Sequence, residues 1–280
     1  MKNLVSLFFI FIAFSANSQF YYNDILSTEE LSLRMKNYRD NKINSVNATA
    51  FSPEGVKNTD FIEMQEVKEN GRLLKISSFS ENVKTTILYR FDDNGRLINQ
   101  TDSAANGAKS VFDFKYDNAG KLISVLNKVS DPDNGVRVTE DHYWLYNSNG
   151  KPEKMWKIVN KKDSTLYLFS LDERNNVADE IETRNKIRRD PVLYYYDAQN
   201  RLSDIVRYNK KANKLLPDFM FEYDDKDRVI QKISTVSDVR IAYIIWRYQF
   251  DERGLKVKEA LFNRYKQQTG RIEYRYTFGN

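Results

Sequence analysis

The chain of 280 residues contains 14% aromatic residues and no cysteine, which excludes disulfides, thiolate metal sites, cysteine nucleophiles and the lipid-acceptor cysteine of a lipoprotein. Lys and Arg (44) exceed Asp and Glu (39) only slightly, and a formal net charge of +5 is too weak to imply a nucleic acid as partner. Abundant tyrosine and phenylalanine with little proline is typical of antiparallel sheet with one solvated face.

The first predicted element is a signal peptide. An apolar run from Leu4 to Phe14 follows a single lysine, and it is too short to cross a bilayer. Ala16 and Ser18 fit the small-x-small pattern that precedes a cleavage site. We therefore predict a signal peptide over residues 1–18 and an exported protein that is secreted, periplasmic or associated with the cell surface. No later stretch is apolar enough to be a transmembrane helix.

A short helix is predicted next, within an N-terminal segment that covers residues 19–60. Ser27–Glu30 has the pattern of a capping box, and apolar residues follow at helical spacing. These residues are Leu31, Met35 and Tyr38. We expect a helix over about residues 28–38 that plugs or covers one end of the fold, as terminal caps do in repeat proteins. Residues 39–60 are interpreted as an irregular connection.

The rest of the chain, residues 61–280, is a tandem repeat. An aromatic or apolar residue, usually followed by Asp, recurs at steps of 24 to 30 residues. Three residues past the Asp position the chain always has Gly, Asn or Asp, which are the residues that tolerate a positive φ. Such a residue ends a common hairpin turn. The predicted turn residues are Gly71, Gly95, Gly120, Gly150, Asn175, Asn200, Asp227 and Gly254.

Strands are predicted on both sides of each turn. Before the turn, apolar residues occupy every second position, which indicates a strand with one buried face. After the turn, a second strand begins in most repeats with Leu or Val and then alternates with polar residues. Each repeat is therefore one β-hairpin, and hairpins paired edge to edge give about seventeen strands. Clear apolar sets are Ile87, Tyr89 and Phe91; Phe112, Phe114 and Tyr116; and Val192, Tyr194 and Tyr196.

These elements predict an all-β fold with a short N-terminal helix. The tandem β-hairpin repeats are expected to form one long curled antiparallel sheet, shaped as a spiral, trough or shell, because a sheet with so many strands rarely stays flat. The aromatic side chains are expected to line its inner face, where each buried ring contributes on the order of 1.5–3 kcal/mol.

The repeat, aromatic-Asp-x-x-Gly-Arg/Lys-Leu, resembles the YD repeats of the RHS family. Phe91–Leu97, Tyr116–Leu122 and Tyr196–Leu202 carry the resemblance, and copies continue in register over about residues 61–280. The resemblance implies long curling β-sheets that enclose a toxin or present a binding surface. The C-terminal toxin and self-cleaving region of large RHS proteins have no room in this chain, so the resemblance implies architecture and not activity.

A catalytic, metal or cofactor site is not predicted. His142 is the single histidine, so a Ser-His-Asp arrangement or an imidazole metal site would have to use it. It occupies a position of the apolar ladder beside Trp144, which favours a packed structural role. Asp131 and Asp133 suggest calcium, but Gly135 breaks the spacing of an EF-hand and favours a solvated loop. The remaining acidic candidates are explained as turn residues: Asp92, Asp117, Asp197 and Asp224.

Basic residues concentrate in three of the turns opposite the Asp turns. If neighbouring hairpins align, these residues lie together on one rim of the sheet, and we predict a cationic surface suited to an anionic glycan or surface polymer. The predicted ligand-binding residues are Lys161, Lys162, Lys186, Arg188, Arg189, Lys210, Lys211 and Lys214.

The main functional hypothesis is a surface or extracellular binding module for a glycan, another polymer or a protein. Two alternatives stay open: a polysaccharide-acting hydrolase, which needs two carboxylates in a cleft away from the Asp turns, and an outer-membrane β-barrel. The barrel would need an apolar outer face. The positions expected on that face include polar residues: Asn99, Lys154, Asp179, Asp204 and Gln231.

Overall fold

The computed structural model describes residues 20–80, 82–105, 107–236 and 242–279. The predicted signal peptide, residues 1–18, lies outside the described residues. In the described part, one α-helix, α1 (Asn23–Asp40), precedes nineteen strands. The strands are β1 (Ile43–Phe51), β2 (Ile62–Lys68), β3 (Leu73–Ser80), β4 (Val83–Phe91), β5 (Leu97–Ala104), β6 (Lys109–Tyr116), β7 (Leu122–Asp131), β8 (Val136–Tyr146), β9 (Pro152–Val159), β10 (Asp163–Leu171), β11 (Val177–Arg184), β12 (Ile187–Arg188), β13 (Val192–Tyr196), β14 (Leu202–Asn209), β15 (Lys214–Tyr223), β16 (Val229–Val236), β17 (Ala242–Phe250), β18 (Lys256–Phe262) and β19 (Gln268–Phe278).

The sheet closes on itself. Each strand except β12 pairs antiparallel with the next, and β1 also pairs with β19 from Ile43 opposite Phe278 to Phe51 opposite Arg271. Strands β12 and β13 both pair with β11 and share one place in the ring, so eighteen strands complete it. The predicted open curled sheet, as a spiral, trough or shell, is therefore wrong, and the fold is a closed antiparallel β-barrel. Closure removes both unpaired sheet edges.

The closing strand, β1, lies in the segment that was interpreted as an irregular connection. Its inward side chains are small, with Ala48 and Ala50 packed beside Tyr274 of β19 and Ile272. Small residues suit a position that already faces large aromatic rings. For the same reason β1 lacks the aromatic alternation that marks the other strands, and the sequence pattern did not reveal it.

The eight predicted turn residues all have positive φ, and the turn prediction is confirmed. In the turn after β4, the Gly95 N–H donates to the Asp92 carbonyl at 3.0 Å, and the Asp92 carboxylate accepts the N–H of Arg96 at 2.8 Å. Equivalent carboxylate contacts occur at Asp117, Asp197 and Asp224. These acids therefore serve the turn geometry, as predicted. We call this end of the barrel the Asp-turn rim and the opposite end the second rim.

A β-bulge follows these turns and sets which side chains face the lumen. Phe91 pairs with Leu97, but Arg90 pairs with Asn99, so one residue is inserted after the turn. The bulge lets Leu97 face inward and also turns Gln100, opposite Tyr89, toward the lumen. It recurs at the paired positions Tyr116–Leu122, Tyr146–Pro152, Leu171–Val177, Tyr196–Leu202, Tyr223–Val229 and Phe250–Lys256.

The lumen is filled by the N-terminal segment and by the aromatic ladder. One buried cluster holds Tyr21 against Trp144 and Tyr167, and a second holds Met35 against Leu97 and other wall residues. Helix α1 touches widely separated parts of the ring: Tyr38 donates to Gln65 of β2 at 3.0 Å, and Asn37 donates to the Gly254 carbonyl at 2.9 Å. The helix therefore lies inside the barrel and ends near the Asp-turn rim.

Helix α1 begins at Asn23, earlier than predicted, and the predicted capping box does not form. The Thr28 hydroxyl donates to the Asp24 carbonyl at 2.9 Å within the helix. The cap comes from the barrel wall, where the Glu180 carboxylate accepts the N–H groups of Tyr21 and Tyr22. A carboxylate at this end also suits the helix dipole. Within the described chain, no helix is long and apolar enough to cross a membrane.

Candidate ligand cavity

A cavity of about 530 Å³ opens at the second rim. Its walls are residues of β8 to β14, and Tyr21 of the N-terminal segment also lines it. Among the lining residues are Lys157, Thr165 and Tyr167, which neighbour one another in the sheet. The cavity therefore lies between the barrel wall and the segment that fills the barrel.

Lys157 joins the wall to the N-terminal segment. Its Nζ donates to the Tyr21 hydroxyl at 2.7 Å, lies 5.1 Å from the centre of the Tyr21 ring and is 3.5 Å from a Glu140 carboxylate oxygen. Burial opposes the ionisation of Glu140, but the hydrogen bond and charge of His142 and the charge of Lys157 hold its pKa below the ordinary value. The cavity thus contains an ion pair that is tied to buried groups behind it.

His142 is one of those buried groups, and it does not line the cavity. Its Nδ1 is 2.7 Å from Asp24 of α1, and its Nε2 is 3.0 Å from Glu140. Burial lowers the pKa of His142, but the two carboxylates outweigh burial and raise it to about 9. The imidazole is therefore protonated at neutral pH and links the helix to the wall. Trp144 supports the link by donating to Asp24 at 3.1 Å.

Glu180 is the second anchor of the N-terminal segment and is only 2% exposed. Besides the two backbone N–H groups, it accepts the Tyr194 hydroxyl at 2.9 Å. Burial raises the pKa of Glu180, and these three donors oppose the rise. The Glu180 carboxylate therefore holds Tyr21 and Tyr22 in place through these hydrogen bonds.

The carboxylates of the cavity are engaged by neighbouring groups. Glu140 contacts His142 and Lys157, Glu180 holds the N-terminal segment, and Glu182 is 3.1 Å from Arg189. A hydrolase of the carboxylate-pair type needs one acid and one base that are free to reach the substrate. Glu140, Glu180 and Glu182 are therefore not free to form such a pair.

The predicted basic residues lie in three consecutive turns of the second rim. Lys161 and Lys162 are in the turn after β9, Lys186 is in the turn after β11, and Lys210 and Lys211 are in the turn after β14. The other three predicted residues lie beside those turns: Arg188 in β12, Arg189 directly after it and Lys214 at the start of β15.

These turns lie beside the cavity, because residues that flank them line it: Val159, Asp163, Arg184 and Tyr208. Arg189 lines it, and Lys210 lies 3.6 Å from Asp190, which is another lining residue. Arg184 and Arg207 also line the cavity. Basic side chains therefore outnumber acidic ones among the lining residues and the three turns taken together.

Two of the turn lysines have an unusual backbone conformation. Lys161 has φ of +57° and Lys186 has φ of +65°, in turns where glycine is the favoured residue. A non-glycine residue in the left-handed region costs roughly 1–2 kcal/mol. The chain thus places a long cationic side chain where glycine would be more stable.

The loop at Asp131 and Asp133 has no sign of a cation site. The Asp131 carboxylate accepts the side-chain amide of Asn134 at 2.7 Å, as in an ordinary turn. Among the described residues, no group of three or more His, Asp or Glu side chains is arranged to hold a metal ion.

Sequence reasoning missed the inner part of the cavity: Tyr21, Glu140, Lys157, Glu180, Glu182, Arg184 and Arg207. Lys157, Glu180 and Arg207 follow a bulge on the return strand of a hairpin. The predicted outward positions Lys154, Asp179 and Asp204 already imply that these residues face inward, but the sequence did not indicate that one cavity brings them together. The one available signal was that the return strands are more polar than the strands before the turns.

No protein-family model and no curated protein matches the chain. Among solved structures, it is similar to a porin-like protein from Bacteroides uniformis, with 11% identity over 85% of this chain and 97% of that chain, at a TM-score of 0.39. A porin-like protein from Bacteroides vulgatus has 9% identity, coverage of 84% and 98%, and a TM-score of 0.28. The Tc holotoxin pore of Photorhabdus luminescens has 12% identity and a TM-score of 0.34, and the match covers 78% of this chain and 12% of that one. At these values neither a family nor a function follows.

Proposed function

We propose that the protein is an exported, filled β-barrel of YD-type repeats that binds an anionic glycan or a similar surface polymer at the second rim. The observation that carries the proposal is the convergence of three basic turns on the mouth of one polar cavity. The filled lumen supports binding rather than conduction, because α1 and the aromatic ladder occupy the interior.

The strained lysines add a second argument. Lys161 and Lys186 have a positive φ, which costs conformational free energy that glycine would avoid. They lie in neighbouring turns on the same rim. Lys266 has the same conformation away from the cavity, so positive φ alone does not mark a binding residue, and what supports the proposal is that Lys161 and Lys186 have it in turns beside the cavity. Cationic groups at the mouth of a cavity attract and orient an anionic ligand.

We expect the double variant Lys161→Gly/Lys186→Gly to bind polygalacturonate about tenfold more weakly, since each lost exposed ion pair contributes up to about 1 kcal/mol. Its stability is expected to stay equal or to rise by up to about 1 kcal/mol, because glycine adopts positive φ without steric cost. Affinity is measured by titration calorimetry at low salt, and stability by urea denaturation.

Lys266→Gly is the matched control. Lys266 has φ of +60° in the turn after β18, elsewhere on the second rim and away from the cavity. It is expected to change stability in the same way and to leave the affinity unchanged. Equal binding by the double variant and the unaltered protein would contradict the proposed role of the basic turns.

An outer-membrane β-barrel is the second candidate function. Ring closure favours it over a binding module built on an open sheet, because a membrane barrel must have no open edge. Exposed apolar side chains on the outer wall also favour it: Tyr143 and Leu145 of β8 lie beside Trp156 of β9.

The placement of polar residues on the outer face argues against a membrane barrel. The strand register turns all five predicted outer-face residues outward, including Lys154 opposite Leu145 and Asp179 opposite Ser170. A lysine facing lipid near the bilayer midplane costs about 2–4 kcal/mol. The inner face, in contrast, holds the aromatic core.

Fractionation of cells that express the full chain separates the two candidates. A filled barrel outside the membrane is expected in the soluble exported fraction without detergent. Recovery in the outer membrane after an alkaline carbonate wash would support the membrane barrel. It would contradict the proposal of a filled, glycan-binding barrel outside the membrane. The Lys154→Leu variant is the matched control. If it is found in the same fraction as the unaltered protein, a single outward-facing charge does not determine where the protein is located.

A further inference from the structure

The cavity at the second rim is closed at its inner end. Tyr21 lies across this end, with its N–H bonded to Glu180 and its hydroxyl bonded to Lys157. Behind it, α1 continues through the barrel and ends near Gly254 at the opposite rim. A polymer therefore cannot thread through the barrel, and only the end of a chain can reach the floor of the cavity.

The floor presents hydrogen-bond donors and acceptors side by side. Lys157 contacts the Tyr21 hydroxyl at 2.7 Å and lies 3.5 Å from a Glu140 carboxylate oxygen, and Thr165 and Tyr167 line the same cavity. Sugar hydroxyls both donate and accept, so a floor of mixed donors and acceptors suits a sugar ring. The tyrosine rings add apolar surface for its carbon-bound face.

The cavity is lined by five acidic and four basic side chains, and each acid has a nearby donor or cation, including Arg184 beside Asp163 and Arg189 beside Glu182. Glu140 faces His142 and Lys157, Asp190 faces Lys210, and the Glu180 carboxylate is occupied by backbone N–H groups. The remaining cationic side chains at the mouth give this end of the cavity a positive excess. A sugar carboxylate that lies toward the mouth is therefore favoured over an amine.

We propose that the cavity binds one terminal, carboxylate-bearing sugar residue of an anionic glycan, while the basic turns contact the units that follow. This inference rests on the proposed function and adds recognition of a chain end to it. The volume of about 530 Å³ is in the range of small-ligand pockets.

The test compares galacturonate oligomers of increasing length by titration calorimetry with the full exported chain. Recognition of a chain end predicts that the monomer binds and that affinity per molecule stops rising once the oligomer passes the basic turns. Neutral galactose oligomers are expected not to bind. If only long polymers bind, with affinity rising in proportion to length, the chain-end inference fails and the proposed function stands. If neither monomer nor polymer binds, both fail.

Variants separate the floor from the turns. Lys157→Met is expected to weaken monomer and polymer binding by the same factor, about tenfold for the loss of one charge-assisted hydrogen bond. Lys161→Gly/Lys186→Gly is expected to weaken polymer binding only. Thr165→Val is a second floor variant of nearly equal shape, and circular dichroism checks that each variant folds. Unchanged monomer affinity in a folded Lys157→Met or Thr165→Val variant would place the sugar elsewhere and overturn the inference.

Discussion

Replacing Glu180 with glutamine is expected to lower the free energy of unfolding by about 1–3 kcal/mol for each buried donor that loses its acceptor. The Glu180 carboxylate accepts the N–H groups of Tyr21 and Tyr22 and the hydroxyl of Tyr194. The glutamine side chain presents one acceptor oxygen, and its NH₂ group would face other donors. Buried donors therefore lose their acceptor, which costs about 1–3 kcal/mol for each donor. Urea denaturation followed by tryptophan fluorescence measures the loss.

Glu182→Gln is the control for this substitution. Glu182 is on the same strand and also faces the cavity, but its partner Arg189 is 65% exposed, and its ion pair is screened by solvent. We expect a change of under about 1 kcal/mol. Similar losses for both variants would mean that Glu180 does not anchor the N-terminal segment.

The repeat pattern predicted local structure well because its signals are local. A residue that tolerates positive φ, such as Asn200, and an Asp three positions earlier define a turn whatever the rest of the chain does. Alternating aromatic residues before the turn then identify the strand and its buried face. Both features depend on neighbours within one hairpin, so they can be read without knowledge of the whole fold.

Closure of the barrel depends on contacts that no local signal encodes. It requires β1 to pair with β19, across more than 200 positions of sequence, as at Val46 opposite Tyr276. The helix cap is equally non-local, since Glu180 lies 158 positions from Tyr22. The bulge lets Pro152 and Lys157 of β9, which are five residues apart, both face the lumen, and no local signal showed which cavity Lys157 lines. The turns and strands of each hairpin were therefore predictable from the sequence, and the residues of the cavity floor were not.

The filled interior explains why polar side chains occur inside a barrel with an aromatic lining. The N-terminal segment brings backbone N–H groups and Asp24 into the lumen, and these groups need charged partners there. Glu180 and His142 supply them from the wall. The inward polar residues are thus matched to the segment that fills the barrel rather than to solvent.

His142 makes this match dependent on pH. The pKa of histidine is about 6.5 in the unfolded chain and about 9 here, so its contribution to stability is fully present below pH 6.5 and is lost as pH rises through 9. The difference corresponds to about 3 kcal/mol. Because His142 is the single histidine, no other imidazole titrates in this window. We expect the free energy of unfolding to fall by about this amount between pH 6 and pH 9, below the pH at which the tyrosines of the unfolded chain ionise.

His142→Gln is expected to remove that pH dependence while keeping a hydrogen bond to Asp24 or Glu140. The groups that face His142 are Asp24 on α1, Glu140 on the same strand, and Tyr21 from the N-terminal segment. Burial raises the pKa of Tyr21 above its ordinary value, which keeps this hydroxyl neutral across the window. Urea denaturation of both proteins at several pH values gives the two curves. If they run parallel from pH 6 to pH 9, the imidazole is not charged in the folded barrel and the link between α1 and the wall is not ionic.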